Sequence, residues 1–132
     1  MAFVVDNSVV VAWFVQSQAN AYTRRVRQRA EREGLLAPQL WPVEFGAVLC
    51  GLERREILGR HDVDRVAARV LALGIVVDTE APLREFIALS RSLGVSCYDA
   101  AYLELAIRRG VPLATRDDRL AGAARASGLF LR

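Results

Sequence analysis

The chain has 132 residues, of which 53% are hydrophobic and 25% charged, and its net charge is +3. These values are typical of one globular domain with its own apolar core, so we expect a single domain over residues 1–132. All eighteen basic residues are arginine, and a sequence without lysine cannot form a phosphate-binding loop that depends on a lysine ammonium. The only histidine, His61, lies in a polar stretch, which excludes catalysis by a histidine triad.

Other classes of protein are disfavoured on similar grounds. No apolar run is long enough to cross a membrane, and the start of the chain carries Asp6 within its apolar stretch, unlike a secretion signal. Cys50 and Cys97 lie far apart in apolar surroundings, which predicts two small buried side chains and no disulfide. We therefore expect a cytoplasmic protein in a reducing compartment.

Apolar β-prone runs alternate with stretches of helical periodicity along the chain. The first half is predicted to contain strand Phe3–Val5, helix Ser8–Val15, a helix from the cap Asn20 to Gly34, edge strand Leu35–Ala37 and a helix that starts between Pro38 and Pro42 and ends near Ile57. The second half is predicted to contain a helix from Asp62 or Asp64 to Gly74, strand Ile75–Val77, helices Pro82–Leu93 and Tyr98–Arg108, strand Pro112–Thr115, a helix from Asp117 or Asp118 to Ala126 and strand Leu129–Leu131.

This alternation predicts an α/β fold. We expect a central, mostly parallel twisted sheet of four to five strands, with helices on both faces and right-handed crossovers. The arginines of the second helix, Arg24–Arg32, are interpreted as a solvated face, and contact with RNA phosphates or with an acidic partner is the alternative.

Three acidic residues, Asp6, Glu44 and Asp99, stand alone among apolar neighbours, and a fourth, Asp117, directly follows a predicted strand. Asp6 and Asp117 each follow a predicted strand, at the edge of a parallel sheet where ligands bind. Glu44 and Asp99 are each the only charge in an apolar helical stretch, where an unpaired buried carboxylate would be costly. We therefore predict that the four carboxylates meet at one site.

Such a site favours metal-dependent phosphate chemistry. Carboxylate oxygens are hard ligands that suit Mg²⁺ or Mn²⁺, and these ions also bind phosphate oxygens and activate water. We predict Asp6, Glu44, Asp99 and Asp117 as metal ligands and catalytic residues. Ser8 and Thr115 would orient ligands or waters through their hydroxyls, or would simply make local hydrogen bonds at helix starts.

Each acid also has a purely structural explanation. Asp6, Asp99 and Asp117 can cap helices, and Glu44 can face solvent. Asp118 is interpreted as a second cap or a solvated neighbour. The shared site is preferred because the structural explanations would have to coincide four times, twice at strand ends.

Four segments carry a resemblance to a known family: Phe3–Ser8, Glu44 on its helix, Tyr98–Tyr102 and Leu113–Asp117. Their order and spacing, over almost the whole chain, resemble those of PIN-domain nucleases. The length of the chain and its opening strand at residue 3 are most similar to VapC-type toxins of toxin–antitoxin pairs.

The resemblance implies a Mg²⁺- or Mn²⁺-dependent endoribonuclease with Asp6, Glu44, Asp99 and Asp117 as its acidic quartet and with Ser8 and Thr115 near the metals. It also implies a homodimer and a cognate antitoxin protein that silences the enzyme. A catalytically silent PIN-like module that binds protein or RNA is the alternative. Haloacid-dehalogenase-type phosphatases are disfavoured because Ser8 stands where they need a second acid, and receiver domains because they need a lysine.

Overall fold

The structure, a computed structural model, describes the backbone of all 132 residues and every side chain except that of Gln16. The strands are β1 (Ala2–Val5), β2 (Gly34–Pro38), β3 (Val76–Asp78) and β4 (Leu113–Ala114). The helices are α1 (Asn7–Phe14), α2 (Ala21–Ala30), α3 (Trp41–Arg54), α4 (Arg60–Ala72), α5 (Leu83–Leu93), α6 (Cys97–Arg109) and α7 (Asp118–Ala126), with a short 3₁₀ helix at Gln16–Gln18.

The four strands form one sheet in the order β3-β2-β1-β4, and all three pairings are parallel. The predicted α/β fold with a parallel sheet is therefore confirmed. The prediction of an edge strand at Leu35–Ala37 is wrong, because β2 lies between β1 and β3. Leu35, Leu36 and Ala37 are all buried, as expected for a strand that is covered on both faces.

The order of the strands determines where the helices lie. The chain moves outward from β1 to β2 and β3, and then crosses back to place β4 on the other side of β1. With right-handed crossovers, α1–α4 cover one face of the sheet and α5–α7 the other. The direction therefore reverses between β1 and β4, and a crevice at the carboxyl ends of two such strands is where open α/β sheets bind ligands.

Helix α6 is the most deeply buried helix and packs against β1, β2 and β4. Its residues 100–106 are all buried, because this run is apolar apart from Glu104. The Ser96 hydroxyl caps the helix by accepting a hydrogen bond from the Asp99 backbone N–H at 3.0 Å, and Gly110 ends it in the left-handed conformation. This fixed start places Asp99 and Tyr102 on the first turns, close to the carboxyl end of β1.

Several local predictions need correction. The expected fifth strand is reduced to a single parallel bridge between Leu113 and Phe130, so the sheet has four strands. Helix α4 begins at Arg60 and is not capped by Asp62 or Asp64, because the chain turns into the helix directly at Gly59. No helix among the residues that the structure describes is both long and apolar enough to cross a membrane.

The prediction of two buried cysteine side chains is also wrong. Cys50 and Cys97 are exposed and unpaired, because Cys50 lies on the outer side of α3 and Cys97 is the first residue of α6, before its buried run begins. An apolar sequence environment therefore does not show which side of the helix a cysteine occupies.

Candidate active site

A cleft of about 300 Å³ lies at the carboxyl ends of β1 and β4. All four acids singled out in the sequence line this cleft, one from the end of β1, one from α3, one from α6 and one from the start of α7: Asp6, Glu44, Asp99 and Asp117. Asn7, Ser8 and Gln18 add polar groups to its wall. The structure thus brings together four carboxylates that are far apart in sequence.

Asp6 is the most deeply buried acid of the cleft, with 6% of its surface exposed. It leaves β1 at the point where α1 begins, and its side chain does not cap that helix. Two hydroxyls donate hydrogen bonds to the same carboxylate oxygen, Oδ2: Ser8 at 2.6 Å and Thr115 at 2.9 Å. The carboxylate is therefore held in one orientation from both sides of the β1–β4 junction.

The same two hydroxyls also hold the segment that follows β4. The Thr115 hydroxyl accepts a hydrogen bond from the Asp117 backbone N–H at 3.0 Å, and the Ser8 hydroxyl accepts one from the Arg116 N–H at 3.1 Å. Each hydroxyl thus donates to Asp6 and accepts from the backbone of the segment that follows β4. Ser8 and Thr115 therefore do both things that the sequence suggested: they make local hydrogen bonds, and they orient one of the acids.

Glu44 lies in the first turn of α3 and is half-buried. Its Oε1 accepts a hydrogen bond of 2.6 Å from the phenol of Tyr102, which is itself 1% exposed. Tyr102 lies one helical turn after Asp99, so α6 presents both groups to the cleft. Sequence reasoning missed Tyr102 as a partner, although the Tyr98–Tyr102 segment was singled out, because an aromatic residue in an apolar helix is ordinarily a core residue.

Helix capping, the structural explanation offered for three of the acids, holds for Asp117 and fails for Asp6 and Asp99. Asp117 does cap α7, because its Oδ1 accepts a hydrogen bond from the Leu120 backbone N–H at 2.9 Å. Asp99 caps nothing, since Ser96 occupies the capping position of α6. Asp99 is thus an isolated carboxylate that faces a cleft lined by other acids.

The electrostatics of the cleft reflect burial and mutual repulsion. Burial raises the pKa of Asp6 above its ordinary value, against the opposing effect of the hydrogen bonds from Ser8 and Thr115. Burial, followed by the charges of Asp117 and Asp6, raises the pKa of Asp99. Burial also raises the pKa of Glu44, against the Tyr102 hydrogen bond and with help from neighbouring acids. No described arginine forms an ion pair with these acids, so their charges lack a compensating cation.

The donor set of the cleft fits a hard divalent cation. Besides the carboxylates, the Asn7 side-chain oxygen Oδ1 is buried and has no hydrogen-bond partner within the part of the chain that the structure describes. An unpaired carbonyl oxygen beside carboxylates is a ligand that Mg²⁺ and Mn²⁺ accept. Among the described side chains, no three acidic, cysteine or histidine residues stand close enough together to hold an ion as they are placed. Two of the carboxylates are held in their present positions by other contacts, since the Tyr102 phenol restrains Glu44 and the cap of α7 restrains Asp117.

Comparison with known proteins agrees with this geometry. A family model described as the PIN domain matches residues 3–126. The structure is similar to the crystal structure of PAE2754 from Pyrobaculum aerophilum, with a TM-score of 0.74 and 25% sequence identity over 95% of this chain and 81% of that one. No protein of curated function matches the sequence. PIN domains are generally nucleases. With a match from the first strand to the last helix, the chain belongs to the PIN domain family.

Proposed function

We propose that this PIN domain is a metal-dependent endoribonuclease that hydrolyses RNA phosphodiester bonds. The observation that carries the proposal is the convergence of Asp6, Glu44, Asp99 and Asp117 on one cleft at the carboxyl end of the sheet. Asp6, Glu44 and Asp99 lack a cationic partner, and burial raises the pKa of each, with neighbouring acids adding to the effect at Glu44 and Asp99. Such carboxylates need a cation to be stable in their charged form.

The side chains of the cleft have distinct parts in this proposal. Asp6, Asp99 and Asp117, together with Glu44, would hold Mg²⁺ or Mn²⁺, which when bound supplies Lewis-acid stabilisation of the charge that builds up on phosphate oxygens. Ser8 and Thr115 fix Oδ2 of Asp6, which leaves its Oδ1 to face the ion. Tyr102 holds Oε1 of Glu44 and so limits the positions that this carboxylate takes.

The proposal is tested with purified protein and a mixed pool of cellular RNAs. We expect cleavage with Mg²⁺ or Mn²⁺, no cleavage with excess chelator, and loss of at least about 100-fold in rate for Asp99→Asn, the order of effect seen when a group that stabilises developing charge is removed. Asp64→Asn is the matched control, because Asp64 is an exposed acid on α4 outside the cleft. Cleavage that persists in chelator refutes the mechanism.

A catalytically silent PIN-like module that binds RNA or protein is the second candidate. It is favoured by the hydrogen bonds that hold Glu44 to Tyr102 and Asp117 to the start of α7, since each bond occupies one oxygen of its carboxylate and restricts how the other oxygen can turn toward an ion. Calorimetric titration with MgCl₂ distinguishes the two candidates. Binding that is lost in Asp99→Asn supports the enzyme, and the absence of binding to the wild type supports the silent module.

We further propose that the protein is the toxin of a toxin–antitoxin pair of the VapC type, that it forms a homodimer, and that a cognate antitoxin protein silences it. The ordered series of motifs supports this proposal, and so does the exposure of Leu83, Ile87 and Ile107, since exposed apolar side chains often mark protein interfaces.

Two experiments test the toxin role and the dimer. Induced expression should arrest growth with the wild type and not with Asp99→Asn. Light scattering should give about twice the 14.6 kDa chain mass; a monomer contradicts the dimer.

A further inference from the structure

A groove of about 600 Å³ lies next to the acidic cleft and has the opposite charge. Its wall carries four arginines, which come from α2, from the segment after β4, from α7 and from the end of the described chain: Arg25, Arg116, Arg125 and Arg132. Asp118 is the one acid on this wall. Within the described side chains, none of the four arginines forms an ion pair with a carboxylate, so their charges face the groove uncompensated.

Two stacked aromatic rings form the rigid part of this wall. The rings of Tyr22 and Phe130 lie 5.8 Å apart with an interplanar angle of 10°. The Tyr22 hydroxyl donates a hydrogen bond of 2.8 Å to the Leu131 carbonyl, which fixes its ring. The guanidinium of Arg125 lies 4.2 Å from the centre of the Phe130 ring, and that of Arg25 lies 5.8 Å from the centre of the Tyr22 ring.

This arrangement orders the two guanidinium groups without neutralising them. A salt bridge would place a carboxylate on each arginine, whereas a ring face holds the cation and leaves its N–H donors free. Guanidinium groups with free donors bind phosphate oxygens in a bidentate manner. The groove therefore presents positioned cations that suit a polyanion.

The groove is adjacent to the acidic cleft, and hydrogen bonds connect the walls of the two. Thr115 lines the groove and also donates a hydrogen bond to Asp6 in the cleft. Arg116 lines the groove, and its backbone N–H donates to the Ser8 hydroxyl that holds Asp6. A strand whose phosphodiester bond lies at the carboxylates would leave the cleft past Thr115 and Arg116, where the groove begins.

We propose that this groove binds the single-stranded RNA backbone next to the bond that is cut, with Arg25 and Arg125 as its principal phosphate ligands. The inference rests on the proposed nuclease function and adds to it the path of the substrate. A flexible acidic peptide is the less suitable occupant, because its carboxylates would continue into a cleft that is itself lined by acids, whereas RNA enters that cleft through a phosphate.

The test measures RNA binding without chemistry. Fluorescence anisotropy with a short labelled single-stranded RNA in excess chelator compares the wild type with the double variant Arg25→Gln/Arg125→Gln. We expect at least about tenfold weaker binding, and a plot of log K against log salt that is shallower by about 1.4, since each lost phosphate contact to a single strand removes about 0.7. Because no cleavage is involved, an inactive enzyme and a groove that does not bind RNA give different results.

Two further variants make the result specific. Arg54→Gln/Arg69→Gln removes two exposed arginines from α3 and α4, outside the groove, and should leave affinity within about twofold. Arg25→Lys/Arg125→Lys keeps the charge and should recover most of the salt dependence, which excludes misfolding as the cause of the loss. Equal losses in the groove variant and in the Arg54/Arg69 variant would show a diffuse basic surface, and displacement of RNA by oligoglutamate of equal charge would show an acidic-peptide site. Either result overturns the proposal.

Discussion

The carboxylate of Asp99 is the clearest case of a side chain that the fold tolerates at a cost. It caps no helix, forms no ion pair with any described residue, and has a pKa raised by burial and by the charges of Asp117 and Asp6. A raised pKa means that the folded protein binds a proton at Asp99 more readily than the unfolded chain does. The metal-free protein therefore loses stability as pH rises above about 4, the ordinary value for an aspartate.

The first prediction concerns the loss of stability that the charge of Asp99 causes at neutral pH. Asp99→Asn removes the charge, so the metal-free variant should unfold a few degrees higher than the wild type at pH 7, and the difference should disappear below about pH 4. Differential scanning fluorimetry in chelator measures the two melting temperatures at pH 7 and the difference between them at low pH. Asp64→Asn, on the exposed side of α4, should show no such gain. A lower melting temperature for Asp99→Asn would mean that the carboxylate is stabilising.

The second prediction concerns the phenol that holds Glu44. Tyr102→Phe keeps the buried ring and removes the 2.6 Å hydrogen bond to Oε1. We expect a loss of about 1 kcal/mol in the free energy of unfolding, since Glu44 is half-exposed and water replaces the phenol. Urea unfolding measures this loss. The rate of RNA cleavage should fall, because Glu44 is no longer positioned, and an unchanged rate would show that Tyr102 serves packing alone.

For individual residues, the sequence predicted which acids share a cleft but not which hydrogen bonds hold each carboxylate. Asp6 and Asp117 were accessible to prediction because each follows a buried strand, and parallel strands bring their ends together. Whether Asp117 also caps α7 depends on one rotamer, and the pairing of Tyr102 with Glu44 depends on the packing of α3 against α6. Neither the rotamer nor the helix packing can be read from the order of residues in the sequence.

Among the strands, β3 is the one whose end is anchored by ion pairs in addition to its pairing with β2. It has three residues at the edge of the sheet, and its last residue, Asp78, accepts hydrogen bonds from two arginines at the end of α6. The bond from Arg108 is 3.0 Å long and that from Arg109 is 2.9 Å. Hydrogen bonds from Arg108 and then Arg109 lower the pKa of Asp78 to about 2, so this end of the strand is tied to a helix on one face of the sheet.

The third prediction is that Asp78→Asn destabilises the protein by about 2 kcal/mol, because two guanidinium groups lose a charged hydrogen-bond acceptor while Arg108 keeps Glu104 as a partner. A lowered pKa stabilises the fold above the unfolded value of about 4, and this contribution is lost as pH falls through about 2. Wild-type stability should therefore drop between pH 4 and pH 2 more steeply than that of the variant. Urea titrations across this range measure the difference, and Glu80→Gln, an exposed neighbour, is the control.

The elements themselves were largely predictable where the pattern is strong. Helix α2 is capped by Asn20 as predicted, with a reciprocal hydrogen-bond pair to Thr23. The position of β2 inside the sheet was not predictable, because three apolar residues fit an edge or a centre equally well. The prediction of a last strand at Leu129–Leu131 was wrong because only one bridge, Leu113 to Phe130, forms there. The number of bridges depends on where α7 ends.

For the whole molecule, ion binding and folding are expected to be coupled. A ligand that binds only the folded state raises the free energy of unfolding, by about 2.7 kcal/mol when its free concentration is about 100 times Kd. The fourth prediction is that Mg²⁺ or Mn²⁺ raises the melting temperature of the wild type progressively and has little effect on Asp99→Asn. Melting curves over a titration of MgCl₂ test this, with KCl at matched ionic strength as control. A shift equal in both proteins would show a general salt effect.

The hydrogen bond from Thr115 to Asp6 joins residues 109 positions apart. During synthesis the first carboxylate emerges early, and its orienting hydroxyl emerges only when most of the domain has been made. Contacts of such long sequence separation form late, after the intervening chain has collapsed around them. A ribosome that carries an unfinished copy of this chain therefore holds no assembled cleft, and the chemistry of the cleft can begin only after Thr115 has emerged.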